Sequence, residues 1–177
     1  MRHEIKFVGS GGQGVITAAI VLAEAAASSG LNVTQTQAYG PEARGSLCSA
    51  EAIISTGAIS FPKIGEPDIL VLLTQEACDI YSPSVSRSCT ILTDSMLSVA
   101  DTTARVISLP IFSSAEKICG ESSCVNMLTV GALNRLWHIV PEAKLSLAIK
   151  NRLPHTFWAS SISACITGAG LVENANY

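Results

Sequence analysis

The sequence predicts an α/β fold: a single Rossmann-like domain in which helices cover both faces of a mostly parallel sheet. Apolar segments with strand character alternate with helical ones along 177 residues, a length that suits one domain. Residues 68–74 (DILVLLT) are almost continuously apolar, which is typical of a central parallel strand covered on both faces. A glycine-rich turn separates the first predicted strand from the first predicted helix.

Six segments predict strands, because each is either largely apolar or alternates polar with apolar residues. They are residues 4–8, 32–37, 46–55, 68–74, 90–93 and 105–109. Between the second and third of these, residues 39–45 (YGPEARG) predict a loop, because a proline and two glycines cannot continue a strand ladder.

Helices are predicted between these strands and through the second half of the chain. The first, residues 15–29, is rich in Ala, Ile and Leu, and Gly30 ends it as a C-cap. The others are residues 75–81, 114–119, 125–140, 141–151 and 156–168. Because ligands of such folds bind beyond the carboxyl ends of the strands, we expect the glycine turn and the 39–45 loop to lie near each other at that edge.

Charged residues are scarce. Eleven basic and fourteen acidic side chains make up 14% of the chain, against about 25% in a typical soluble domain. Mean hydropathy is correspondingly high at +0.40. We therefore expect surface that other chains cover, either partner subunits or, in the isolated chain, a second copy. The net charge of −3 and the lack of a basic run argue against a nucleic-acid partner.

No segment predicts a membrane span or an export signal. The longest apolar run, residues 15–27, is rich in alanine, is interrupted by Glu24 and is too short to cross a bilayer. The charged residues near the N-terminus precede glycine rather than an apolar signal core. We expect a cytoplasmic protein that does not bind membranes.

The six cysteines lack the spacing of a metal site. None forms a C-x-x-C pair, and four residues separate Cys119 from Cys124. Zinc and iron–sulfur sites need closely spaced thiolates that converge on one metal. We therefore expect no metal, and free thiols that behave as small apolar side chains.

The turn Gly9-Ser10-Gly11-Gly12-Gln13-Gly14, hereafter the glycine loop, has the spacing G-x-G-x-x-G between a strand and a helix. Glycines allow backbone N–H groups to approach an anion closely, and the positive end of the helix dipole favours negative charge there. The loop therefore predicts a phosphate or other anion site. The alternative is a tight strand-to-helix turn that binds nothing.

Two common nucleotide sites do not fit this loop. A dinucleotide fold needs an acidic residue about 20 positions further on to bind the ribose, but the second strand ends in Gln35, Thr36 and Gln37. A P-loop needs Lys-Ser or Lys-Thr after the glycines, and neither is present.

The 39–45 loop supplies further candidates. Arg44 is suited to a phosphate or carboxylate, although an ion pair with Glu42 or with a partner's acid is an equal alternative. Tyr39 could stack on a ring. Asn126, at the start of a later helix, either caps or packs that helix or points at the same crevice.

No catalytic constellation is visible. His3, His138 and His155 stand apart in sequence and fit surface or packing roles, and the nucleophile motif G-x-S-x-G is absent. The residues themselves therefore indicate a binding subunit with no catalytic residue of its own.

Four blocks of sequence occur in a specific order and spacing over about residues 6–153. They are FVGSGGQGV (7–15), YGPEARG (39–45), PDILVLLTQE (67–76) and NMLTVGAL (126–133). Together these blocks resemble the gamma subunit of 2-oxoacid:ferredoxin oxidoreductases. The second block is most similar to the 2-oxoglutarate branch, while the pyruvate, branched-chain oxoacid and indolepyruvate branches have related loops.

The resemblance implies a complex that decarboxylates a 2-oxoacid with thiamine diphosphate, passes electrons through iron–sulfur clusters to ferredoxin and transfers the acyl group to coenzyme A. It implies that alpha, beta and ferredoxin-like delta subunits carry the thiamine and the clusters. The gamma subunit would cover the active site and help bind coenzyme A. The candidate cofactor-binding residues are Gly9, Gly11, Gly12, Gln13, Gly14, Tyr39, Arg44 and Asn126.

Residues 154–177 depart from the charged tail that the resemblance suggests, and we interpret them as a partner-binding tail of the 1–177 domain. The leading hypothesis is a required subunit that has no activity when isolated. Two alternatives remain: a free-standing nucleotide-binding oxidoreductase domain, which rests on G-x-G-x-x-G alone, and a scaffold in which the glycine loop is only a turn.

Overall fold

The computed structural model describes residues 1–39, 47–120 and 124–173. Its six strands and six α-helices follow one another in the order that the sequence predicts. The strands are β1 (Arg2–Ser10), β2 (Asn32–Tyr39), β3 (Leu47–Ser55), β4 (Ile69–Leu72), β5 (Thr90–Asp94) and β6 (Arg105–Leu109). The helices are α1 (Val15–Ser28), α2 (Gln75–Tyr81), α3 (Ile111–Cys119), α4 (Val125–Trp137), α5 (Glu142–Arg152) and α6 (Trp158–Glu173).

The six strands form one sheet in the order β2-β3-β1-β4-β5-β6. Strands β1, β4, β5 and β6 are parallel, whereas β3 runs antiparallel to both of its neighbours, β1 and β2. The predicted mostly parallel sheet is therefore confirmed, and β3 is its antiparallel member. The start of β3 lies at the edge where β1 and β2 end, because Leu47 pairs with Ser10 and Cys48 pairs with Tyr39.

Helices cover the two faces of the sheet unequally. The larger core packs α1, α4 and parts of α3, α5 and α6 against one face, around fully buried Phe7 and Val71. A smaller cluster covers the opposite face of β1 and β4, where Ala77 and Cys78 of α2 pack against Leu70. The continuous apolar pattern of the central strand is explained by this two-sided burial.

Helices α4 and α6 cross with their backbones in contact. A Cβ atom added to Gly131 of α4 would overlap the carbonyl oxygen of Cys165 in α6. A Cβ atom at Gly168 of α6 would likewise overlap the carbonyl oxygen of Leu128. The sequence 158–173 is therefore part of the core in this structure, and the partner-binding role expected for the 154–177 tail stays a prediction.

Two predicted helix boundaries were wrong for local reasons. Helix α3 begins at Ile111 rather than at 114, because the buried carboxylate of Asp94 accepts a hydrogen bond from the Phe112 amide and holds the first turn. Helix α4 ends at Trp137 rather than at 140. There His138 adopts a left-handed conformation (φ 49°) and donates its amide hydrogen to the carbonyl oxygen of Asn134.

The expectation of six free thiols was also wrong. Cys119 and Cys124 form a disulfide, with their Cα atoms 6.4 Å apart, whereas Cys78, Cys89 and Cys165 are free thiols and Cys48 is in no disulfide among the described residues. The cysteine spacing argues against a shared metal site, but it does not argue against a disulfide. Two cysteines five positions apart can come close enough in space to form one.

Within the described part of the chain, no helix is both long and apolar enough to cross a membrane.

Candidate anion-binding site

The glycine loop lies at the carboxyl edge of the parallel strands. It leaves β1 at Ser10 and enters α1 at Val15. The neighbouring parallel strand, β4, ends at the same edge and continues into α2. The loop is therefore placed where ligands of open α/β sheets bind.

The side chain of Gln13 turns back into the loop. Its Oε1 accepts a hydrogen bond from the Ser10 amide at 2.8 Å, and its Nε2 donates one to the carbonyl oxygen of Leu73 at 2.8 Å. The Gln13 amide also donates to the carbonyl oxygen of Ser10 at 3.2 Å. The Gln13 carboxamide is therefore used to shape the loop and to attach it to the end of β4.

Two of the glycines are required by close packing. A Cβ atom at Gly9 would lie 2.5 Å from Gln13 Oε1 and 2.8 Å from a methyl group of Val15. A Cβ atom at Gly14 would lie 2.5 Å from Nδ2 of Asn126, and Gly14 also has a φ of +70°. Any side chain at either position would displace the groups that hold the loop.

The other two glycines face outwards. Gly11 and Gly12 are exposed, and no heavy atom of the described residues lies within 4 Å of the position that a Cβ of Gly12 (φ +101°) would take. In residues 1–39, 47–120 and 124–173, no acceptor contacts the amide of Gly11, Gly12 or Gly14. These amides can donate to an anion, whereas the amides of Ser10 and Gln13 are already bound by the protein.

The start of α1 adds to the attraction for an anion. This helix of 14 residues has no acidic residue in its first turn, and no side chain caps it. The partial positive charge of the helix terminus therefore stays uncompensated by the helix itself. An anion at such a position gains about 0.3–1 kcal/mol from the dipole, and up to about 2 kcal/mol in a half-buried setting.

Asn126 brings α4 to the same place. Its Oδ1 accepts a hydrogen bond from the Met127 amide at 2.8 Å, which leaves the Nδ2 donors beside Gly14. No acceptor from the described residues bonds to this Nδ2 group. Asn126 therefore bonds within the first turn of its own helix and also lies beside the glycine loop, and its role in binding a cofactor stays a prediction.

The 39–45 loop lies mostly outside the described residues, and so do Arg44 and Glu42. The end of β2 is described as backbone: Tyr39 pairs with Cys48, at the edge where Ser10 pairs with Leu47. Because β3 separates β2 from β1 in the sheet, the end of β2 is about 10 Å from the end of β1 by ordinary strand spacing.

A family profile described as pyruvate ferredoxin/flavodoxin oxidoreductase matches residues 4–170. The chain belongs to this family. The 2-oxoglutarate synthase subunit KorC of Methanocaldococcus jannaschii is 38% identical over 159 residues, which cover 87% of this chain and 85% of that protein. The expected gamma subunit of a 2-oxoacid:ferredoxin oxidoreductase is thereby confirmed.

Solved structures agree with the fold. The gamma subunit of a keto/oxoacid ferredoxin oxidoreductase from Geobacter sulfurreducens superposes with a TM-score of 0.84 at 34% identity, over 98% of this chain and 99% of that one. The 2-oxoglutarate:ferredoxin oxidoreductase from Magnetococcus marinus, solved with 2-oxoglutarate, coenzyme A and succinyl-CoA bound, has a TM-score of 0.88 at 18% identity. The superposition covers 99% of this chain and 32% of that longer chain.

Sequence reasoning missed the residues that position the loops of the gamma subunit. Asp94 is fully buried, and its two carboxylate oxygens accept hydrogen bonds from the amides of Met96 and Phe112, each at 2.7 Å. Thr74 caps α2 by accepting a hydrogen bond from the Ala77 amide at 3.1 Å. An acid directly after a buried apolar strand, and a threonine before a helix, were signals that could have identified both residues.

Two buried cysteines of the gamma subunit, Cys89 and Cys165, are poor nucleophiles. Burial raises the pKa of the Cys89 thiol to about 11 and that of Cys165 to about 12. Both groups are therefore protonated at neutral pH. In the described ranges, no three His, Cys, Asp or Glu side chains come together in a way that could hold a metal ion. An anion-binding role for the glycine loop stays a prediction.

Proposed function

We propose that this chain is the gamma subunit of a 2-oxoglutarate:ferredoxin oxidoreductase and that its glycine loop binds the phosphates of coenzyme A. The complete complex would convert 2-oxoglutarate, coenzyme A and oxidised ferredoxin into succinyl-CoA, carbon dioxide and reduced ferredoxin. The similarity to KorC supports the choice of oxoacid. The Magnetococcus oxidoreductase, which has the same fold within its longer chain, was solved with coenzyme A.

The observation that carries the proposal is the set of unused donors at the start of α1. The amides of Gly11, Gly12 and Gly14 and the Nδ2 group of Asn126, which lies beside Gly14, have no acceptor among the described residues. Backbone amides at a helix N-terminus suit a phosphate or pyrophosphate group.

Coenzyme A fits this surface better than a nicotinamide dinucleotide does. Both carry a pyrophosphate, but the dinucleotide site also needs an acid at the end of the second strand to bind ribose hydroxyls. Here that strand carries Thr36 and Gln37 near its end. This difference counts against a free-standing nicotinamide-binding domain.

We assign thiamine diphosphate and the iron–sulfur clusters to alpha, beta and ferredoxin-like delta partners, with ferredoxin contacted through them. The gamma subunit would cover the thiamine site from the carboxyl edge of its sheet. Scarce charge on the chain and the greater length of the Magnetococcus chain support such an assembly. The cytoplasmic location expected from the sequence stays a prediction.

The test is a charge change at Asn126 in the reconstituted complex. Asn126→Asp keeps the acceptor for the Met127 amide but places a carboxylate beside Gly14. We expect KM for coenzyme A to rise about tenfold, which corresponds to about 1.4 kcal/mol, with KM for 2-oxoglutarate unchanged. The matched control is Asn32→Asp, which adds the same charge at the start of β2 on the opposite edge of the sheet.

A scaffold is the second candidate, because Gln13 binds the loop to Leu73 as a purely structural turn would. In that case Asn126→Asp and Asn32→Asp would leave KM for coenzyme A equally unchanged. The subunit role has its own test: the isolated chain should not reduce a dye with 2-oxoglutarate, and adding it to the other subunits should restore turnover.

A further inference from the structure

The Cys119–Cys124 disulfide has no part in the proposed function. It joins the last residue of α3 to the residue that precedes α4. Gly120 ends α3 in a left-handed conformation (φ +69°), and Cys124 occupies the N-cap position of α4 without a side-chain cap bond. The bond therefore restricts the position of the first turn of α4 relative to the end of α3.

The short separation of the two cysteines limits their contribution to global stability. A disulfide stabilises a fold mainly by restricting the unfolded chain, and this restriction grows slowly with the length of the closed loop. Only four residues lie between Cys119 and Cys124, so the unfolded chain loses less freedom than it would with a longer loop. The bond also acts locally, because Cys124 directly precedes α4.

That local effect reaches the glycine loop. Asn126, two residues after Cys124, has its Nδ2 beside Gly14, where an added Cβ atom would lie 2.5 Å from it. The Cys124 side chain is 4% exposed, whereas Cys119 is half-buried. A soluble disulfide can therefore reach the pair through Cys119.

We propose that Cys119 and Cys124 are a reversible dithiol–disulfide pair, and that closure of the bond holds Asn126 against the glycine loop. The oxidant is a small-molecule disulfide such as oxidised glutathione. The Cys119 thiolate attacks one sulfur of that disulfide and releases one glutathione thiolate. The Cys124 thiolate then attacks the Cys119 sulfur, which forms the internal bond and releases the second glutathione. The two thiol protons pass to the two released thiolates.

The rest of the chain provides internal standards. Cys78, Cys89 and Cys165 are buried, and burial raises the pKa of each thiol, so all three should react slowly in the folded protein. A mixed disulfide formed at half-buried Cys48 would carry the added mass of glutathione. An internal disulfide that carries no added glutathione and depends on the glutathione ratio should therefore be confined to the Cys119–Cys124 peptide.

To test this, the full chain is equilibrated in buffers that differ in the ratio of reduced to oxidised glutathione. Each sample is quenched in acid and alkylated with N-ethylmaleimide, and the peptide masses are then measured. We expect the Cys119–Cys124 peptide to change from the internal disulfide to the doubly alkylated form as the ratio rises. Cys124→Ser should instead accumulate glutathione on Cys119, because the second step is lost. Full alkylation of both cysteines in every buffer would overturn the proposal, as would a bond that survives excess dithiothreitol in the folded chain.

Hydrogen exchange tests the link to Asn126 without coenzyme A. The amides of Thr129 and Val130 bond to first-turn carbonyl groups of α4, so they report on that turn. We expect their exchange to be at least several-fold faster in the dithiol form, and Cys48→Ser to leave this difference unchanged. Equal rates in the two forms would contradict the coupling to α4.

Discussion

The Gln13 side chain donates a hydrogen bond from Nε2 to the carbonyl oxygen of Leu73, at 2.8 Å across 60 residues of sequence. This contact joins the glycine loop after β1 to the end of β4. Its other carboxamide atom, Oε1, accepts from the Ser10 amide. One side chain thus both closes the loop and anchors it to the neighbouring strand, so the amides that face outwards are held in place before any ligand binds.

Gln13→Ala should lower the free energy of unfolding by about 1–3 kcal/mol, because it leaves the half-buried Ser10 amide and Leu73 carbonyl oxygen without partners. Urea denaturation followed by circular dichroism measures the loss. Gln35→Ala is the matched control, since among the described residues the Gln35 side chain bonds only to the backbone of its neighbour Thr36. Equal losses in the two variants would show that the bridge to Leu73 is not important for stability.

Gly14→Ala should lower the free energy of unfolding for two reasons, which a double-mutant cycle can separate. The added Cβ atom meets Nδ2 of Asn126, and the left-handed backbone at Gly14 disfavours alanine. Combining Gly14→Ala with Asn126→Ala removes the clash but not the backbone strain. We expect a coupling of about 1 kcal/mol between the two sites in denaturation measurements. Gly12→Ala is the control, since its φ is positive but its Cβ position is empty.

We expect Gly131→Ala and Gly168→Ala each to lower the free energy of unfolding by more than about 3 kcal/mol or to prevent folding. In each variant the new methyl group would overlap backbone atoms of the facing helix. Thermal and urea denaturation give the magnitude. Gly170→Ala, also in α6, is the matched control: outside the backbone of its own helix, no heavy atom of the described residues lies within 4 Å of its Cβ position. That variant should be stabilised by up to about 1 kcal/mol, since alanine has the higher helix propensity. Similar losses at Gly168 and Gly170 would argue against the close crossing of α4 and α6.

Stability should fall as the pH is lowered through the normal titration range of histidine. Burial lowers the pKa of His3 below its usual value of 6.5. The negative charge of Asp68 opposes this effect, and the positive charge of the N-terminal amino group lowers the pKa further. Below pH 6.5, His3 is therefore protonated to a greater extent in the unfolded chain than in the folded chain. The free energy of unfolding thus decreases from pH 7 towards pH 5. His3→Gln should flatten this part of the pH profile in urea titrations. An unchanged slope would show that His3 does not cause it.

The local features of the glycine loop were predictable from the sequence. Strand, glycines and helix follow one another directly, and the run Ile69–Leu72 has the composition of a strand that is buried on both faces. The ends of helices were less predictable. Asn134 bonds through its side chain to both the amide and the carbonyl group of Val140, and this contact organises the turn that ends α4. A periodic pattern of apolar residues does not reveal such a turn.

The sequence by itself determined the family, the α/β class and the position of a candidate anion site at the start of α1, because these depend on residue types that stand next to one another. The tertiary structure decided which groups at that candidate site remain available. Gln13 meets Leu73 because the sheet order places β4 beside β1, and Gly14 meets Asn126 because α4 packs against α1. Contacts between residues far apart in sequence depend on how the elements pack, and for this reason the fold alone shows that Gln13 supports the site while Asn126 faces it.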